Sequence, residues 1–162
     1  MGKIYVRVDD RLIHGQTLVA WCPTLGIDEI IGVENNIASN AILKSITEMG
    51  IPKPYKGHIV KTDEVEGLLK QNADRNTLII VKYPSVLFEI KEAIKGAELI
   101  ILGNMAKRDD TNHQLSEATG IFYLSDSDIE GLDTLVKEGF EVIFQQVPST
   151  GRTTWDNFKK TL

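Results

Sequence analysis

The stretch TLIIVKYPSVLFEIKEAIKGAELIIL, residues 77–102, decides the fold. It holds two runs, Leu78-Ile79-Ile80-Val81 and Leu99-Ile100-Ile101-Leu102, that are apolar on consecutive positions. Strands covered on both faces read this way, which places the two runs at the centre of a sheet. Between them Val86, Leu87, Ile90, Ala93 and Ile94 fall at i, i+1, i+4, i+7 and i+8, one face of a helix. Pro84 stands at its first turn, where a missing N–H is harmless. Strand, helix and strand in succession predict parallel strands joined by a crossover helix.

The same rhythm extends outward. Further short runs at 4–8, 29–33, 58–61, 121–124 and 141–147 bring the expected total, with 77–82 and 99–102, to about seven strands. Helical patterns lie between them: Ile42, Leu43 and Ile46; Val65, Leu68 and Leu69; and Ile129, Leu132, Leu135 and Val136. The last of these is read as starting with the capping-box pair Ser127 and Glu130 and stopping at Gly139. The expected fold is α/β, an open, mainly parallel twisted sheet with helices on both faces, forming one domain over residues 1–162. The polar stretch 103–120 breaks the pattern, with no clear strand, and irregular segments of that length are often functional.

Composition narrows the chemistry. Of 162 residues, 42% are hydrophobic and 25% charged, as in globular chains. The net charge of −5 argues against nucleic acid as a partner. Cys22 is the only cysteine, which excludes an intramolecular disulfide and a cysteine-built zinc site. No apolar run approaches the roughly 18 residues of a membrane-spanning helix, and charges interrupt residues 3–10 before a signal-peptide core forms, so a cytoplasmic location is expected. His14, His58 and His113 are the whole supply of imidazoles.

In an open parallel sheet, ligands bind beyond the carboxyl ends of the strands where the strand order reverses. With the first strand central, the site is expected in loops 9–16, 83–85 and 103–110. The first loop, Asp9-Asp10-Arg11-Leu12-Ile13-His14-Gly15-Gln16, is the richest. It sets His14 at the start of a helix carrying Leu18, Trp21, Cys22 and Leu25, where unpaired amides and the helix dipole favour an anion over a protonated imidazole. A neutral imidazole is a nucleophile, and the same amides stabilise a phosphoimidazole. Arg11 offers bidentate phosphate recognition, and Gly15 lets a bulky group approach the backbone. Asp9 and Asp10 read either as orienters of the imidazole or of Arg11, or as a solvated acidic pair at the helix start. His58 reads as structural, His113 as a weaker candidate, and Trp21 and Cys22 as core.

Residues 9–16 resemble the phosphorylation-site signature of the IIB components of mannose/sorbose-family sugar phosphotransferase systems (PTS). Gly103-Asn104-Met105-Ala106-Lys107-Arg108 is similar to that family's second recurring string. Asn35-Asn36, Tyr83-Pro84 and Val147-Pro148-Ser149 extend the likeness over essentially the whole chain.

The resemblance implies a phosphoryl carrier and transferase. A phosphorylated IIA protein or domain passes its phosphoryl group to His14, which passes it to a sugar moving through the membrane components IIC and IID. The chain would then be peripherally associated with the membrane transporter. On this reading His14 is nucleophile and leaving group, Arg11 and the Gly15 and Gln16 amides hold equatorial oxygens, Arg108 is the second cation and Asp10 an orienter. Neither a metal nor a cofactor is called for. Two residues depart from the pattern: Thr17 stands where the family commonly has an aliphatic residue, and Pro23 should kink or end the first helix near Cys22. Leu12, Ile13 and Met105 read either as a transient interface or as packing beneath the loop. The sugar, the phosphorylated ring nitrogen and any homo-oligomer stay open.

Two other enzyme or signalling readings fit less well. A phosphohistidine phosphatase or mutase places Arg directly before its His and uses a second His, whereas Leu12 and Ile13 intervene here. A receiver-like signalling domain needs a phosphoacceptor Asp at the end of a central strand, where this chain has Lys82-Tyr83 or Gly103. A dinucleotide binder lacks its Gly-x-Gly-x-x-Gly after the first strand.

Overall fold

The computed structural model describes residues 2–116 and 118–162. In chain order the elements are β1 (Ile4–Asp9), α1 (Gly15–Leu25), β2 (Glu29–Val33), α2 (Asn35–Ala38), α3 (Ala41–Met49), β3 (Lys56–Val60), α4 (Val65–Gln71) and β4 (Thr77–Val81). There follow α5 (Pro84–Glu89), β5 (Leu99–Met105), β6 (His113–Gln114), β7 (Ile121–Leu124), α6 (Asp126–Lys137), β8 (Val142–Phe144), β9 (Thr153–Thr154) and α7 (Trp155–Lys159). The sheet runs β3-β2-β4-β1-β5-β7-β6, with β8 on β5 and β9 on β8. Six pairings are parallel. Among the described residues, only the two-residue strands β6 and β9 pair antiparallel.

β1 lies between β4 and β5, with Val6 opposite both Ile79 and Ile100. Successive residues of these strands point to opposite faces, and both faces are covered. One face packs Val6, Val8, Ile79, Val81, Ile100 and Leu102 against Leu87, Ile90 and Ile94, Leu132 and Leu135, and Trp155 and Phe158. The other packs Ile30, Leu78 and Ile80 against Leu12, Leu18 and Cys22. Consecutive apolar positions in β4 and β5 follow from this double covering.

Several expectations need correction. The described residues form nine strands, against the expected seven or so, because β6 and β9 are too short to carry any periodicity. The stretch 103–120 therefore contains a strand, and β5 runs on to Met105 through its first residues. The run at 141–147 is strand only over Val142–Phe144. Helix α6 starts two residues earlier than its reading: Ser125, directly after β7, is the N-cap, accepting from the Asp128 N–H at 3.0 Å while the Asp128 carboxylate accepts from Ser125 N–H at 3.0 Å. Ser127 and Glu130 repeat the same spacing one step inside the helix.

Pro23 does not end α1 at Cys22; the helix continues to Leu25. Pro23 sits in the last turn, where it forfeits a single helical donor, while buried Leu18, Trp21 and Cys22 anchor the turn before it. Termination comes at Gly26, whose φ of 66° suits glycine, and Ile27 N–H closes the end on the Cys22 carbonyl at 2.9 Å. Finally, α3 forms as expected, but its apolar stripe faces outward, with Ile42 72% and Ile46 60% exposed.

Candidate functional site

The carboxyl ends of β4, β1 and β5 stand side by side at the middle of the sheet and gather the three loops at one end of the strands. The first loop leaves β1 by a tight turn in which Leu12 N–H donates to the Asp9 carbonyl at 2.9 Å. Leu12 takes a left-handed φ of 58°. That conformation costs a branched residue about 1–2 kcal/mol. Burial of its side chain beside Ile59 and Ile80 offsets the cost and fixes where the chain enters α1. Leu12 and Met105 are thus packing residues, both 3% exposed, and Ile13 is half-buried.

His14 is the N-cap residue of α1. Its carbonyl accepts from Leu18 N–H at 3.1 Å. No side chain caps the first-turn amides of Gly15 and Gln16, so they point outward at the edge where an anion is favoured. The imidazole turns instead to Thr17, whose Oγ1 lies 2.9 Å from Nδ1.

Arg11 is aimed by Asp9. The buried Asp9 carboxylate accepts from Arg11 Nε and Nη2, both at 2.9 Å, and from the Arg11 backbone N–H at 3.0 Å. Arg11 Nη2 also donates to Thr17 Oγ1 at 3.2 Å. Hydrogen bonding to Asp9 raises the Arg11 guanidinium further above its ordinary value, so its charge is permanent. Behind Asp9 lies a second cation, Arg7, 1% exposed, with Nε 3.5 Å from the same carboxylate and its guanidinium 5.7 Å from the Trp21 ring centre. Burial pulls Arg7 down to about 10, against the opposing influence of Asp9. At pH 7 it is still charged.

Asp10 faces the other way. Its carboxylate accepts from Asn104 Nδ2 at 2.7 Å and from Ala106 N–H at 2.8 Å, lacing the loop after β5 to the loop after β1. Of the two acidic residues, Asp9 orients Arg11 and Asp10 orients the neighbouring loop. Arg108 lies at the rim, with Nη2 2.5 Å from the Asp128 carboxylate, Nη1 3.5 Å from Asp110 and its guanidinium 5.4 Å from the Tyr83 ring centre. The other two histidines are engaged elsewhere: His58 lies 3.9 Å from Glu29, and His113 is 2.6 Å from Asp126.

Sequence reasoning missed three contributors. Thr17 stands out only as a departure from a pattern, although its i+3 spacing from His14 brings two residues of a helix start together. Arg7 reads as one of the charges of the first strand, with no sign that it is buried. Gly103 reads only as the first residue of the second string, yet it occupies the bulge where Val8 pairs with Leu102 and Asp9 with Asn104. A Cβ there would overlap the Arg7 guanidinium, so its lack of a side chain makes room for the buried cation.

A histidine at an uncapped helix start, a fixed guanidinium beside it and an open parallel sheet beneath define an α/β protein built to handle an anionic group. The sequence matches the family described as PTS system sorbose subfamily IIB component over residues 4–161, and the chain belongs to that family. It is 24% identical over 151 residues to the PTS system fructose-specific EIIB component of Bacillus subtilis (strain 168), covering 92% of this chain and 90% of that protein. It is 25% identical over 149 residues to the N-acetylgalactosamine-specific phosphotransferase enzyme IIB component 1 of Escherichia coli (strain K12), covering 90% of each. The crystal structure of the IIBSor domain of the sorbose permease from Klebsiella pneumoniae shares the fold, with a TM-score of 0.84 at 22% identity, over 99% of this chain and 98% of that one. The chain is accordingly a phosphoryl carrier of sugar phosphotransfer, a transferase that acts in a system with IIA and membrane IIC and IID components. Among the described residues, no helix is long and apolar enough to cross a membrane.

Proposed function

We propose that His14 is the residue that carries the phosphoryl group. The observation that supports this most is its place at the N-cap of α1, with uncapped amides at its back and Arg11 aimed by Asp9 at its side. A ring nitrogen lone pair of His14 attacks the phosphorus of the donor's phosphohistidine in line. The new P–N bond forms as the donor's P–N bond breaks, and the donor imidazole leaves with its electron pair. In the second half-reaction a sugar hydroxyl oxygen attacks the phosphorus, the P–N bond to His14 breaks, and the hydroxyl proton leaves to solvent.

Such transfer asks the protein for alignment and charge neutralisation more than for covalent chemistry. Arg11 and the Gly15 and Gln16 amides supply both to the equatorial oxygens. Arg108 is the second cation, tied to Asp128 in the unphosphorylated chain and contributing less than Arg11. Asp10 acts by holding the loop after β5 against the site. The donor is a IIA protein or domain, and the acceptor is a sugar presented by IIC and IID, which places the chain in the cytoplasm, on the membrane transporter's inner face. The relatives named above carry fructose and N-acetylgalactosamine in their names. A hexose or hexosamine is the class of acceptor this supports.

The test is to phosphorylate the purified chain through its relay proteins and examine the linkage. An acid-labile, base-stable phosphoryl group that disappears in His14→Ala is the expected result. A base-labile acyl phosphate that survives in His14→Ala would overturn the assignment and point to Asp9 or Asp10.

A further inference from the structure

Thr17 touches both groups on which the transfer depends. It is 6% exposed in the first turn of α1, and its Oγ1 lies 3.2 Å from Arg11 Nη2 and 2.9 Å from His14 Nδ1. An aliphatic side chain of the same shape can make neither contact. A hydroxyl has one proton and two lone pairs, whereas a guanidinium only donates. One lone pair of Oγ1 is therefore committed to Arg11. Accepting from a cation polarises the hydroxyl and makes it a stronger donor, which directs its proton to the lone pair of Nδ1. The ring proton then resides on Nε2.

We propose that Thr17 is a positioning residue for phosphoryl transfer, a hydroxyl that couples Arg11 to His14 and holds the resting imidazole in one rotation and as the neutral Nε2–H tautomer. The proposal rests on His14 being the phosphoryl acceptor. It completes a continuous chain from the buried interior to the reacting ring: Arg7, Asp9, Arg11, Thr17, His14. Arg7 and Arg11 keep their charge at pH 7, and Thr17 is the uncharged hydroxyl that links Arg11 to the imidazole. Its hydroxyl bond is also exchangeable. A phosphoryl oxygen arriving beside the ring is a better acceptor than Nδ1, and the hydroxyl turns from the one to the other with no covalent bond altered.

Thr17→Val keeps the β-branched shape and removes the hydroxyl; Thr17→Ser keeps the hydroxyl. Long-range 1H–15N correlation spectra of the His14 ring, recorded above neutral pH, report the tautomer. Wild type and Thr17→Ser should show Nε2 protonated and Nδ1 bare, and Thr17→Val a mixture of both tautomers. Phosphoryl transfer from the phospho-donor should fall about tenfold in kcat in Thr17→Val with KM held within about twofold, the mark of lost alignment rather than lost binding, and Thr17→Ser should restore it. A wild-type tautomer in Thr17→Val overturns the proposal whatever the rate, and a mixed tautomer with an unchanged kcat overturns its part in transfer. Thr17→Ala serves the same comparison if Thr17→Val fails to fold. Because the tautomer is read without phosphorylation, its outcome is separate from that of His14→Ala, which tests the acceptor itself.

Discussion

Asp9 holds Arg11 by three bonds at once, two from the guanidinium at 2.9 Å and one from the backbone N–H at 3.0 Å, while the buried Arg7 stands 3.5 Å behind it. The carboxylate is thus the counter-charge of two arginines, and its own burial is tolerable only because both are present. Asp9→Asn keeps the shape and removes the charge. Arg7, whose Nε and Nη2 have no hydrogen-bond partner, then becomes a buried cation without compensation. Breaking such a pair from one side costs about 3–5 kcal/mol. Urea unfolding should show a midpoint lowered accordingly, and an unchanged midpoint would mean that Arg7 is solvated in a way the fold does not suggest.

Arg11 and Arg108 are both cations near the site, but they are committed differently. Arg11 is aimed by a carboxylate behind it and meets His14 through the Thr17 hydroxyl; Arg108 is already paired with Asp128 at 2.5 Å. Arg11→Ala should lower single-turnover phosphoryl transfer by about 100-fold or more, in the range found when an arginine is removed from a transferring phosphoryl group. Arg108→Ala should lower it by less than about tenfold, because that guanidinium must first leave Asp128. Rapid-quench transfer from the phospho-donor ranks the two. Equal losses would give Arg108 a direct share in the transition state.

Gly103 makes a different kind of demand on the chain. The backbone of β5 passes so close to Arg7 that a methyl group has no room, and the strand bulges at this point. Gly103→Ala should cost about 1–3 kcal/mol, as overpacking of a filled interior does, or more if the Arg7 guanidinium is pushed off Asp9. The checking measurement is thermal unfolding. The double variant Gly103→Ala with Arg7→Met would recover part of the loss if the clash is the cause, and none of it if the bulge itself forbids a side chain.

The parallel sheet and the place of the candidate site are legible because they rest on local signals. Consecutive apolar residues in β4 and β5 mark doubly covered strands, and His14 follows the first strand at the start of a helix whose stripe is plain. What stays hidden is whatever depends on a partner distant in the chain. Nothing near residue 7 says that an arginine will be enclosed by Trp21, Gly103 and the Gln145 carbonyl. Nothing local tells that Asp10 will reach Asn104 and Ala106, 94 and 96 residues away. The two-residue strands fail for another reason, since two residues cannot display a period. Helix α3 shows the limit of periodicity: its stripe of Ile42, Leu43 and Ile46 predicts a covered face, and the fold leaves that face open.

Cys22 makes the stability of the fold depend on pH. The thiol is fully buried on the inner face of α1, and burial pushes its pKa up from 9.0 to about 12. The folded chain therefore keeps the proton at pH values where the unfolded chain releases it. Stability from this group is fully present below pH 9 and declines as pH rises from about 9 toward about 12, because the unfolded state then binds fewer protons. The slope reaches at most about 1.4 kcal/mol per pH unit. Urea midpoints measured between pH 8 and pH 10.5 should fall in the wild type and fall less in Cys22→Val, which has no thiol to ionise. The same burial makes the folded thiol inert: iodoacetamide at pH 8 should leave it unmodified for hours and alkylate it rapidly in denaturant. Rapid alkylation of the folded chain would mean that α1 opens locally, and with it the turn that carries His14.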